Sequence, residues 1–162
     1  MNKTAIIIPS RLEAVRLANK PLELINNKEM ILHVYEAAKK TNTGEVYVAT
    51  PDQKIIDLIK DVGGKAGFTS LDHQTGTDRV YEVFKNQLKS EPNVIVNLQG
   101  DMPNIDPKVI TNLISYMEEG KCDIGTLASS FSSDEEIADE NNVKVAVKEK
   151  LDNNQFGQAR DF

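Results

Sequence analysis

Ala5-Ile6-Ile7-Ile8-Pro9-Ser10-Arg11 is the stretch that decides the fold. Its apolar run stops at a proline and is followed by cations at Arg11, Arg16 and Lys20. A strand apolar on both faces is covered on both sides, as in a parallel sheet. The loop leaving it opens at the carboxyl end of that sheet, where α/β folds collect ligands. Cations spaced along such a loop point to a phosphate-bearing ligand, because a hydrogen bond to a charged group contributes about 1.5–3 kcal/mol. A solvated basic surface loop is the competing reading of the same residues.

Outward from this stretch, apolar strand-like runs recur at residues 46–50, 64–68, 94–98, 124–128 and 143–147. Segments with helical spacing lie between them at 30–41, 53–62, 77–88, 107–119 and 134–138. Alternation of the two predicts an α/β fold with a mainly parallel sheet and helices on both faces, since each parallel return needs a crossover that packs back onto the sheet. Asp106 is placed to cap the helix that Pro107 opens. Within it Val109, Ile110, Leu113, Ile114 and Met117 form one apolar stripe for the sheet. Residues 148–154 read as the turn of a hairpin, and with no closing helix after them the fold is expected to be incomplete at its C-terminal end.

Composition narrows the classes of function. A chain of 162 residues with 40% hydrophobic content suits one α/β domain. A net charge of -6 provides no global positive field, which disfavours nucleic acid as a partner. Cys122 is the only cysteine, excluding an internal disulfide and a cysteine-rich zinc site and fitting a cytoplasmic protein. The apolar run before Pro9 is too short for a signal peptide or a bilayer span, so no membrane role is expected. The chain has no internal repeat and no low-complexity tract.

Two further segments carry candidate chemistry. Gln99-Gly100-Asp101 follows the apolar run Val94 to Leu98, putting a carboxylate at the tip of a buried strand, while Gly100 lets backbone approach a ligand closely. Asp101 is the natural ligand for Mg²⁺, which takes one or two carboxylates and completes its shell with phosphate oxygens and water. An ordinary turn is the other reading of that tripeptide. Asp72-His73-Gln74-Thr75-Gly76-Thr77-Asp78-Arg79 sets polar groups at a helix start, where they can read a base or sugar, with Arg79 reaching toward phosphate. A plain capped helix start accounts for the same residues. His73 has no second histidine near it in sequence and His33 reads as packing. The patterns G-x-x-x-x-G-K-[ST], G-x-G-x-x-G and G-x-S-x-G are all absent, which argues against a P-loop kinase, a nicotinamide dehydrogenase and the commonest serine hydrolases.

Taken in order, Ile7-Ile8-Pro9-Ser10-Arg11, Arg16-Leu17, Lys20-Pro21-Leu22, the 72–79 segment, Val96 to Asp101 with Pro103, and Asn142-Val143-Lys144-Val145 resemble the 3-deoxy-manno-octulosonate cytidylyltransferase (CMP-Kdo synthetase) family. The chain departs from that pattern at Ala18-Asn19, where the family has Pro-Gly, and at Met102, where it has Glu. The resemblance implies a Rossmann-like nucleotidyltransferase sheet and transfer of CMP from CTP to the sugar acid Kdo, releasing pyrophosphate, for lipopolysaccharide biosynthesis. It implies catalytic roles for Arg11, Lys20 and Asp101, with Asp101 holding Mg²⁺. By the same likeness Pro9, Ser10, Arg11, Arg16, Lys20, Gln74, Thr75, Gly76, Arg79, Gln99 and Gly100 would bind the nucleotide. Residues 1–148 would form the nucleotide-binding domain and 149–162 the start of a sugar-binding and dimerisation region, the family being homodimeric. Two alternatives stay open: an inactive fragment that at most binds nucleotide, and a nucleotidyltransferase with another sugar-acid acceptor.

Overall fold

The computed structural model describes residues 4–13, 18–120, 122–152 and 155–161. The apolar run forms β1 (Thr4–Pro9), buried along its whole length. A short antiparallel pair comes next, β2 (Leu24–Ile25) and β3 (Lys28–Glu29). Its two-residue turn is Asn26-Asn27 with φ of 51° and 61°, the left-handed pair that tight hairpins require and asparagine tolerates. Beyond it come α1 (Met30–Lys40), β4 (Gly44–Thr50), α2 (Gln53–Asp61), β5 (Lys65–Phe68), α3 (Gly76–Gln87), β6 (Val94–Asn97) and α4 (Pro107–Glu118). The strands β5-β4-β1-β6 make one four-stranded sheet in that order, parallel at every pairing.

Side-chain alternation along β1 sorts the helices onto the two faces. Ile6 and Ile8, with Val46 and Val48 of β4, face Ile31 and Val34 of α1, Ile55 and Ile59 of α2, and Ile110 and Ile114 of α4. Ile7, Tyr47 and Ala49 point the other way and pack on Val80 and Val83 of α3. A run of three isoleucines is therefore needed because both faces of β1 are core. The cap expected for α4 is present, Asp106 accepting from the Lys108 N–H at 2.9 Å with Pro107 opening the helix.

The chain divides into two compact units, Met1–Gly125 and Thr126–Phe162. The second holds α5 (Asp134–Ala138) and an antiparallel pair, β7 (Ala146–Val147) with β8 (Ala159–Asp161). Two expectations are corrected here. Residues 124–128 form no strand, and the run expected at 143–147 contributes only Ala146–Val147 to an antiparallel ladder instead of a parallel one. Ile124 and Val143 are each 86% exposed, and Gly125, which weakens a strand, sits against Met117 and Leu113. β7 and β8 pair antiparallel, as the two arms of the expected hairpin would; Asn153 and Asn154 of the expected turn lie outside the described residues. Among the described residues no helix is long and apolar enough to cross a membrane.

Candidate active site

The strand order sets the position of the site. From β1 the chain steps through β4 to β5 on one side, then returns to place β6 on the opposite side of β1. The loops after β1 and β6 therefore diverge, leaving a crevice at the carboxyl ends of the strands. A cleft of about 560 Å³ lies there. Its walls are Pro9 to Arg11 after β1, Lys20 and Pro21, His73 to Gly76 with Arg79 at the start of α3, and Gln99 to Asp101 after β6.

Pro9 is the hinge pin between these walls. A Cβ on Gly100 would fall 2.8 Å from the Pro9 carbonyl oxygen, and one on Gly76 would fall 3.2 Å from Pro9 Cγ. Both segments thus approach β1 as closely as a residue without a side chain allows. The loop after β1 is pinned from the end of β4, where Asp52 Oδ2 accepts from the Leu12 N–H at 2.8 Å, and is closed by the Asn19 N–H donating to the Leu12 carbonyl at 3.0 Å. Asn19 adopts a left-handed conformation, φ 58°, so the departure from Pro-Gly keeps a residue that tolerates that geometry. Lys20 then enters a short 3-10 turn, Lys20–Leu22, and its Nζ lies 2.8 Å from Asp101 Oδ2.

The third wall is held by side chains of α3. Thr75 caps the helix, its hydroxyl accepting from the Asp78 N–H while the Asp78 carboxylate accepts from the Thr75 N–H, and the Thr75 hydroxyl holds the Asp78 carboxyl below the usual range. Arg79 is 3% exposed and donates to Thr69 Oγ1 at 2.9 Å, the Ser70 carbonyl at 2.7 Å and the His73 carbonyl at 3.5 Å. Burial, followed by the Arg11 cation, lowers its pKa. Glu82 Oε2 accepts from the Ser70 N–H at 2.9 Å and pairs with His73 Nε2 at 2.6 Å.

Across the cleft, Gln99 donates to Asn97 Oδ1 at 3.2 Å and Asn97 donates to Thr77 Oγ1 at 3.3 Å. Gln74 donates to the Asp72 carbonyl at 3.0 Å. Ser10 Oγ is buried and, among the described residues, has no hydrogen-bond partner. No group of three or more His, Cys, Asp and Glu gathers to hold a metal among the described residues. Asp101, with a side chain 54% exposed, is one of two carboxylates that line the cleft among the described residues, the other being Glu13. Such a donor suits magnesium delivered with a polyphosphate and does not suit a closed four-ligand zinc site.

Of the residues singled out from sequence, Pro9, Ser10, Arg11, Lys20, Gln74, Thr75, Gly76, Arg79, Gln99, Gly100 and Asp101 all line the one cleft. Arg16, with Leu17, lies outside the described residues. Arg79 lines the cleft, yet the hydrogen bonds it makes go to the 69–73 loop. Sequence reasoning missed Glu13 and Met30, which also line the cleft, and it missed the clamps Asp52 and Glu82. Asp52 reads as an ordinary N-cap of α2, but its side chain makes no cap bond and goes to Leu12 instead. The one available signal for Glu82 was its position three residues after Arg79, on the same face of a helix.

A cytidylyltransferase family model matches residues 5–160. The 3-deoxy-manno-octulosonate cytidylyltransferase of Rickettsia bellii (strain OSU 85-389) is 43% identical over 147 residues, which are 90% of this chain and 60% of that protein. The protein of the same name from Brucella ovis is 39% identical over 144 residues, 88% of this chain and 57% of that one. The chain thus spans about 60% of the length of the curated relatives it matches. Among solved structures, a CMP:2-keto-3-deoxy-manno-octonic acid synthetase complexed with CTP is 42% identical and superposes with a TM-score of 0.68, covering 72% of this chain and 48% of that one. A cytidylyltransferase from Leptospira borgpetersenii, 23% identical with a TM-score of 0.59 over 74% of this chain and 50% of that one, shares the fold. A switch-point cleft with cations facing a carboxylate, inside a match over nearly the whole sequence, leads to one conclusion: the chain belongs to the cytidylyltransferase family.

Proposed function

We propose that this cleft binds CTP and that its residues serve the transfer of CMP from CTP to Kdo, the acceptor in the name of its relatives. The observation that carries the reading is the meeting of Arg11, Lys20 and Asp101 on one cleft at the sheet's switch point. Likeness to a synthetase complexed with CTP supports the choice of nucleotide.

In this reading the anomeric hydroxyl of Kdo attacks the α-phosphorus of CTP in line. A new O–P bond forms, the bond from the α-phosphorus to the oxygen bridging it to the β-phosphorus breaks, pyrophosphate leaves, and the hydroxyl proton passes to solvent water. The site's task is positioning and charge neutralisation. Arg11 and Lys20 hold triphosphate oxygens as Lys20 exchanges Asp101 for the anion. Asp101, so released, would hold Mg²⁺, which would supply charge neutralisation on the phosphates. Gln99 and the 73–76 segment face the nucleoside.

Calorimetric titration with CTP and Mg²⁺, followed by a coupled assay for pyrophosphate release with Kdo, tests the proposal. Saturable CTP binding and turnover that an Asp101→Ala variant lacks are expected. Absence of CTP binding at millimolar concentration, or turnover no greater than that of the variant, would overturn it.

A further inference from the structure

The geometry assigns to Glu82 a positioning role: it fixes the 69–75 segment so that the cleft grips the nucleoside part of its ligand. This rests on the cleft being a CTP site. Glu82 does not line the cleft; it acts through residues that do.

Three observations carry the assignment. First, among the described residues, the segment between β5 and α3 makes one backbone-to-backbone hydrogen bond to the sheet, from the Thr69 N–H to the Thr50 carbonyl at 3.0 Å. Past Thr69, side chains of α3 hold the segment. Second, two charged residues of α3, Arg79 and Glu82, grip the same two residues through different groups. Arg79 donates to the Ser70 carbonyl while Glu82 accepts from the Ser70 N–H; Arg79 donates to the His73 carbonyl while Glu82 holds the His73 ring. Removal of either side chain leaves one half of each anchor loose. Third, His73, Gln74 and Thr75 line the cleft at or directly after these anchors, so a shift at Ser70 or His73 is carried to the wall.

The ligand part affected is set by location. Lys20 and Asp101 lie on other walls and do not depend on Glu82, so contacts to a polyphosphate survive its loss. Contacts to base and ribose, made by uncharged groups whose value depends on alignment, do not survive.

The test compares Glu82→Ala and Glu82→Gln with the unaltered chain, titrating CTP and inorganic tripolyphosphate by calorimetry in Mg²⁺. Glu82→Ala should weaken CTP by about tenfold or more and change tripolyphosphate by less than about twofold. Glu82→Gln keeps an acceptor for the Ser70 N–H and should lose about threefold or less for CTP; it also serves if the alanine variant does not fold. CTP affinity that matches the unaltered chain in Glu82→Ala would overturn the assignment. So would equal loss of CTP and tripolyphosphate in either variant, since that marks a general structural role. Failure of the unaltered chain to bind CTP is a separate result, and strikes the functional proposal instead.

Discussion

Lys20 Nζ and Asp101 Oδ2 stand 2.8 Å apart, joining loops separated by 81 positions in the chain. Both side chains are substantially exposed, 40% and 54%, and pairs of that kind contribute about 0–1 kcal/mol to stability. The pair is thus cheap to open, which suits groups whose proposed task is to take up an anion and a cation separately. Lys20→Met should shift the melting temperature little. It should weaken CTP by about ten- to a hundredfold, through loss of a bond to a charged group. Thermal melts and calorimetry on the same preparation check both halves, and a large fall in stability would contradict this account of the pair.

The close approach of β6's loop to β1 makes a second prediction. In Gly100→Ala the new Cβ meets the Pro9 backbone oxygen at 2.8 Å and Ile31 at 3.5 Å. Backbone has no rotamer with which to yield, so the variant should lose about 1–3 kcal/mol, the usual cost of overpacking. Gly76→Ala meets ring atoms of Pro9 at 3.2 and 3.4 Å, a milder contact, and should cost less. Urea denaturation of the two variants ranks them, and the reverse order would refute the packing argument.

How much of this was legible in the sequence depended on whether the information was local. β1 and the Gln99 to Asp101 turn announced themselves because an apolar run followed by polar residues is a contiguous signal. The alternation of strands and helices likewise placed the helices on both faces. Contacts such as Asp52 to Leu12 and Glu82 to Ser70 are set by tertiary approach, and both carboxylates look like ordinary helix residues in the sequence. The run at 124–128 failed for the complementary reason. Its apolar letters suit a strand, but a strand also needs a neighbouring ladder to satisfy its backbone, and no local pattern records whether one is there.

The Glu82 carboxyl has a pH signature. Its pKa lies below the usual glutamate value, chiefly because the Ser70 N–H donates to it, with His73 adding to the effect and burial opposing it. A carboxyl whose folded pKa is depressed binds protons more readily in the unfolded chain. Its stabilisation is therefore present above the unfolded value, about 4.3, and is lost as pH falls through the folded value. Glu82→Gln should flatten that part of the stability curve. Urea midpoints measured between pH 6 and pH 3, expressed as the difference between the two proteins, isolate this carboxyl from Glu36 and Asp78, whose pKa values are also lowered. A difference that does not shrink toward low pH would show that the Ser70 bond contributes nothing.

Ser10 supplies a prediction with opposite signs in two measurements. Its hydroxyl is buried at the edge of the cleft without a partner among the described residues, and an unsatisfied buried polar group costs about 1–3 kcal/mol. Ser10→Ala removes that group and keeps the Cβ, so the unliganded protein should become more stable, by about 1 kcal/mol. If Ser10 belongs to the nucleotide set, as proposed, the same change should weaken CTP by several-fold. A residue that only packs would move both quantities in one direction. Melting temperatures recorded with and without saturating CTP decide the matter: the variant should melt above the unaltered chain when free and gain less from the ligand, whereas a lower melting temperature in the free protein would refute the prediction.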